Sequence, residues 1–271
     1  LMNELHDGTS IIVNAFGNDP AEGSVAAKEM IIKDNSEKLL TAYSQGSIMF
    51  EVVMDHFSSL SRSLTQPVHT ISPWTTMRSL LETSAIGLWL LDSKIDPDER
   101  ISRSLRFRCE GLLQQVKFGK ATIDDDNEIG PSINRYKKVL GEAEVFGLEV
   151  VRYDSGKLEH LRHEMPSVTG LITSQLNLEA EYRLFSAIAH AHLWALQNLS
   201  FQKADLPGKL MLEKNLSIES IQYIGAILFR ASSSPIIEKC KLFGWSFEGV
   251  KKKFDSTQKA FLSTTKRVIE Q

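Results

Sequence analysis

Residues 72–92 read SPWTTMRSLLETSAIGLWLLD, and the reading of this stretch decides the fold class. Ser72 is a capping residue type, and Pro73 suits the first helical position, where a missing N–H costs nothing. Trp74, Met77, Leu80, Leu81, Ala85, Leu88, Trp89 and Leu91 then recur at spacings of three and four and clothe most sides of the helix. A helix that is apolar nearly all round belongs at the centre of a bundle. Before Asp92 it carries only two charges, Arg78 and Glu82, one turn apart.

The same signals repeat on both sides. Leu39, Leu40, Tyr43, Ile48, Phe50, Val53, Met54 and Phe57 predict a long helix over Ser36–Ser63, with Gly46 inside it and Thr65-Gln66-Pro67 as its break. Asp96 caps a third helix, Pro97 follows, and Asp98 and Glu99 complement the dipole of a segment expected to reach Phe118. An acidic loop over Asp124–Gly130 precedes a helix expected from Pro131 to about Gly147. Leu148–Ser155 reads as extended connector, because a lone strand has nothing to pair with. Pro166 opens a short helix, and Asn177 caps a continuous one over Leu178–Leu199, followed by a loop through Pro207 and Gly208. Ser217 caps a helix to Ser232, Ser232-Ser233-Ser234-Pro235 interrupts it, and an amphipathic helix over Trp245–Ile269 closes the chain. The expectation is an all-α bundle of roughly eight helices with no significant sheet. A loose arm over 1–27, rich in Gly, Asn, Asp and Ser, precedes a single helical domain over 28–271.

Composition narrows the function classes. The chain has 271 residues, 42% hydrophobic and 24% charged, with 34 acids against 31 bases and a net charge of −3. That excludes a strongly basic nucleic-acid coat and an acidic disordered tail, and no DNA partner is expected. Two cysteines, Cys109 and Cys240, are too few for a disulfide scaffold or a cysteine-built zinc site. No apolar run approaches the ~20 residues that span a bilayer, and Leu1–Phe16 lacks the basic start of a signal peptide. The expected setting is a reducing cytoplasm without membrane contact.

Familiar motifs are missing: no G-x-G-x-x-G, no G-x-x-x-x-G-K, no H-E-x-x-H and no G-x-S-x-G. Asp124–Arg135 fails as a calcium loop, with Ile129 where Gly is needed and Arg135 where Glu is needed. His190 and His192, two apart on a continuous helix, would point about 200° from each other and could not share a metal. No metal or other cofactor is expected.

One constellation carries chemistry. Arg183 and His190 are seven residues apart, which returns a helix to within about 20° of its starting direction. Ser186 stands between them, and Trp194, four residues after His190, extends the face with an aromatic that can pack in the core or stack on a base. A titrating imidazole beside a fixed cation suits cleavage of RNA by its own 2′-OH, which needs a base or acid near pH 7, a cation for the phosphate charge, and no metal. Arg78 and Glu82, two charges in an apolar helix, pair with each other or with Tyr182, Arg183 and His190 across the bundle.

Arg183-x6-His190 on a helix of an all-α bundle resembles the R-x(4–6)-H signature of the HEPN superfamily. More loosely, Arg78-x3-Glu82 with Tyr182-x3-Ser186-x3-His190 resembles uncharacterised bacterial helical proteins that carry an R-x3-E helix and a Y-x3-S-x3-H helix. The HEPN resemblance implies a four-helix core, a homodimer, and a metal-independent endoribonuclease of toxin or phage-defence type. Arg183 and His190 would be its catalytic pair and RNA its substrate. Two classes stand open on the sequence. One is this enzyme. The other is a non-catalytic binding or sensor module, whose Arg78, Glu82, Tyr182, Ser186 and His190 form a structural polar network or hold a small ligand.

Overall fold

The computed structural model describes residues 19–32, 35–64, 68–122, 126–153, 158–199, 201–206, 209–214 and 216–269. The first eighteen residues of the expected arm, the Thr65–Pro67 break, the start of the acidic loop, and Pro207 and Gly208 of the expected loop lie outside them. The described residues form ten α-helices, one π-helical turn and two two-stranded antiparallel sheets. In chain order these are α1 (Val25–Met30), α2 (Ser36–Ser63), α3 (Ser72–Leu90), α4 (Pro97–Thr122), α5 (Asp126–Val145), β1 (Val150–Val151) and β2 (His160–Leu161). There follow α6 (Val168–Leu171), the π turn Ile172–Leu176, α7 (Glu179–Ala189), α8 (Leu193–Leu199), β3 (Phe201–Leu206), β4 (Lys209–Lys214), α9 (Ile218–Phe243) and α10 (Glu248–Ile269). The all-α reading holds broadly, with more helices than the eight expected and with short sheets that it lacked.

The chain divides into two compact units, Leu1–Lys28 with Gly46–Ser93 and Val168–Gln271, and Glu29–Gln45 with Lys94–Ser167. In the first, α3 packs against α7 and α9, and α9 against α10. Trp74, Met77, Leu80, Leu81 and Leu91 are wholly buried, as the apolar pattern of 72–92 requires. Trp74 lies on Phe185 of α7 with ring centroids 5.8 Å apart. Phe229 of α9 gathers Phe57, Phe254 and Phe261 edge-on at 5.9, 6.3 and 6.1 Å, a geometry that sets ring edges against ring faces.

Gly46, an apparent weakness in α2, is the place where Leu91 lies against the helix. A Cβ there would sit 2.3 Å from Leu91 Cδ2. Gly87 of α3 similarly admits Met49 and Pro235, whose Cβ atoms would lie 3.3 and 3.9 Å from an added Cβ.

Several boundaries differ from the sequence reading. Ser72 is the first helical residue rather than the cap; Ile71 occupies the cap position and makes no side-chain bond there. Asp96 does cap, accepting the Glu99 N–H at 2.8 Å, and Ser217 accepts the Ser220 N–H at 3.1 Å. The Ser232–Pro235 interruption does not occur, and α9 runs through it. Ser234 Oγ and Ser233 Oγ donate to Arg230 O at 2.8 and 3.3 Å, and burial of Pro235 outweighs the backbone bond its ring removes. The acidic stretch from Asp126 is already helix, so Pro131 lies inside α5 rather than at its start. Part of the expected arm is held in place: Ser24 and Ala26 are buried, Ala21 N–H donates to Phe243 O at 2.8 Å, Trp245 Nε1 donates to Asp19 O at 3.1 Å, and α1 begins at Val25.

The connector at 148–155 finds a strand partner after all, with Val150 opposite Leu161 and Val151 opposite His160. The loop expected after Leu199 contains a hairpin in which Phe201 pairs with Lys214 and Leu206 with Lys209. Pro207-Gly208, a turn dipeptide, was its one sequence signal.

In the second unit, α4 packs along α5. Its interior holds a charge, because Arg100 of α4 is 0% exposed. Arg100 Nε and Nη2 grip the two carboxylate oxygens of Glu29 at 2.9 and 3.2 Å, and the Tyr43 hydroxyl donates to the same carboxylate. The guanidinium also stands 5.5 Å from the Tyr43 ring centroid. Burial and the neighbouring carboxylate hold the Tyr43 hydroxyl far above its ordinary pKa.

Candidate functional site

The continuous helix expected over Leu178–Leu199 is broken in the structure, and the break shapes the site. α7 ends at Ala189, His190 is its C-cap, and Ala191 turns left-handed at φ 56°. Ala191 N–H donates to Ile188 O and His192 N–H to Ala187 O, both at 2.9 Å, which closes the helix with a Schellman motif. Glycine usually takes the left-handed position, because a Cβ there crowds the carbonyl that follows. α8 then starts at Leu193.

The break falls after both Arg183 and His190, and the bonds of the two go to different partners. Arg183 is 68% exposed and bonds back one turn, its Nε and Nη2 at 2.8 and 2.7 Å from Glu179 Oε1. That bond, with a second from Thr173 Oγ1, holds the Glu179 carboxyl below its ordinary pKa. The cation that meets His190 comes from α3. Arg78 Nη1 lies 3.2 Å from His190 Nε2. Arginine only donates, so the imidazole Nε2 accepts, and a neutral ring carries its proton on Nδ1.

Glu82 and Tyr182 fix this guanidinium from behind. Arg78 Nε donates to Glu82 Oε1 at 2.9 Å, the Tyr182 hydroxyl donates to the same oxygen at 2.9 Å, and the Tyr182 ring lies 5.8 Å from the Arg78 Cζ. Burial weakens the Arg78 charge, but the Glu82 carboxylate and the Tyr182 hydroxyl outweigh it and raise its pKa. The Tyr182 hydroxyl is pushed up by burial and then by its bond to Glu82. The result is a chain, Tyr182–Glu82–Arg78–His190, that begins at a buried phenol and ends at an exposed imidazole. Ser186, half-buried on α7, takes the His190 N–H on its carbonyl at 3.0 Å. Trp194 stands 56% exposed at the start of α8 rather than in the core.

The break also brings in a residue that the sequence reading set aside. His192 does not point away from His190: their rings stand edge to face, centroids 6.3 Å apart, and both are exposed. Nothing in the sequence signals this, because alanine is not a residue type that announces a left-handed turn. Among the described residues, no group of three or more His, Cys, Asp or Glu is placed to hold a metal ion. Nor is any described helix long and apolar enough to cross a membrane. No protein-family model, curated protein or solved structure matches the chain.

Proposed function

We propose that the chain is a HEPN-like endoribonuclease that cleaves RNA without a metal, with His190 as the proton-exchanging group and Arg78 as the phosphate cation. The observation that carries this reading is the 3.2 Å approach of Arg78 Nη1 to the exposed His190 Nε2. The 2′-OH of one nucleotide attacks its own phosphate, and His190 Nε2 accepts the hydroxyl proton once Arg78 turns its N–H to a non-bridging phosphate oxygen. Glu82 and Tyr182 keep the guanidinium aimed while it changes partner. Trp194 offers an exposed ring for a neighbouring base, and Arg183, held by Glu179, is left to flanking phosphates. A homodimer of the HEPN kind belongs to the same reading, and sedimentation velocity measures it.

The test is a 5′-labelled single-stranded RNA incubated with the purified chain in EDTA. The reading expects products ending in 2′,3′-cyclic phosphate and a loss of ~10²-fold or more in His190→Ala. Wild type and His190→Ala equally silent on RNA would overturn it. The second reading, a binding or sensor module, draws on the same hydrogen-bonded chain from Tyr182 to His190, which fixes two helices to each other whether or not anything is cleaved.

A further inference from the structure

We propose that His192 is a second catalytic residue, placed by the left-handed turn at Ala191 to give a proton to the leaving oxygen while His190 takes one from the attacking oxygen. This rests on the RNA-cleavage reading of the Arg78–His190 pair. In-line attack at phosphorus creates two proton problems at once, on opposite sides of one phosphate. The 2′-OH must lose its proton as the 2′-O–P bond forms, and the 5′-oxygen must gain one as the P–O5′ bond breaks. The products are a 2′,3′-cyclic phosphate and a 5′-hydroxyl, so one proton is accepted and one delivered for each bond cleaved. A single imidazole cannot do both in one step, because the two oxygens face apart.

The corner after α7 supplies two imidazoles. Their centroids are 6.3 Å apart, and both rings are open to solvent. Two hydrogen-bond reaches of about 3 Å each bring both sides of one phosphate within range of that pair. On an uninterrupted helix the two rings would diverge by about 200°. The turn that prevents this uses a non-glycine residue at φ 56°, a conformation the chain holds against its own preference. Arg78 lies on His190 rather than on His192, which leaves the second ring unencumbered by that cation.

The experiment compares two substrates of different leaving group. In a dinucleotide of natural RNA the 5′-alkoxide needs a proton to leave; in uridine 3′-(4-nitrophenyl phosphate) the nitrophenolate departs without one. We expect His192→Ala and His192→Gln to lose ~10²-fold on the dinucleotide and less than about threefold on the aryl ester, whereas His190→Ala loses on both. His192 is exposed, so thermal melts of these variants should match wild type. Equal losses of the His192 variants on both substrates, or no loss on the dinucleotide, would overturn the assignment while leaving the Arg78–His190 reading intact. A wild type that cleaves neither substrate overturns both.

Discussion

Arg78 of α3 and His190 at the end of α7 are 112 residues apart in the chain and 3.2 Å apart in space, and it is this guanidinium, not that of Arg183, that meets the imidazole. Arg183 is committed to Glu179 on its own helix. On the proposed RNA-cleavage reading, Arg78→Ala is therefore expected to lower the cleavage rate ~10²–10³-fold, with Arg183→Ala within about fivefold of wild type. Rates on labelled RNA for the two variants check the assignment, and the reverse ranking would return the role to Arg183.

The corner at Ala191 makes a stability prediction of the opposite sign from most substitutions. Ala191→Gly removes the Cβ from a left-handed position, at the cost of a more flexible unfolded chain. The net expectation is a gain of about 0.5–1 kcal/mol, read as a higher urea midpoint. A loss would mean that the Cβ is not strained there.

The Arg100–Glu29 pair is buried, so removing one partner strands the other. Arg100→Met should cost about 3–5 kcal/mol in urea unfolding. Adding Glu29→Gln to that variant should restore part of the loss, because an uncharged amide is cheaper to bury than a lone carboxylate. Additive losses in the double variant would argue against direct coupling.

At Gly46 the expectation is steric. Gly46→Ala places a methyl 2.3 Å from a wholly buried Leu91, and the side chain has to be displaced. A loss of about 1–3 kcal/mol is expected, although alanine is the better helix former. Leu91→Val in the same chain should recover part of it, as differential calorimetry can measure.

The two thiols predict a pH dependence. Burial pushes Cys109 and Cys240 each up to about 11, whereas an unfolded thiol ionises near ~8.5. Below ~8.5 both states hold the proton and nothing is lost; above it the unfolded chain sheds protons that the folded chain keeps, so stability falls as pH rises toward 11. Urea midpoints should drop between pH 8 and 10.5, and by less in Cys240→Ala. At pH 8 neither thiol should react with a disulfide reagent until denaturant is added.

The site was half legible in the sequence. Two charges in the otherwise apolar run 72–92 had to find partners, and Arg78 and Glu82 do, with Tyr182 and His190 among them. Arg183 misled because its spacing to His190 is right for a helix, yet Glu179 sits one turn before it and captures it first. His192 was set aside by a helical period that ends at Ala189. The helix-breaking character of proline was likewise overestimated at Pro235, because the local rule does not contain the burial of its ring near Gly87 inside a continuous α9.

By itself, then, the sequence determined what local chemistry can dictate: the helical class, the caps at Asp96 and Ser217, the central place of 72–92 and the identity of the charges stranded within it. Those follow from side-chain period and from short-range backbone bonding, which extend over a turn or two. The tertiary structure alone decided which cation faces the imidazole, that a helix turns a corner at an alanine, and that an arginine can be interred beside Glu29. Each of those depends on atoms far apart in the chain, whose packing and pairing outweigh local preferences of about 1 kcal/mol.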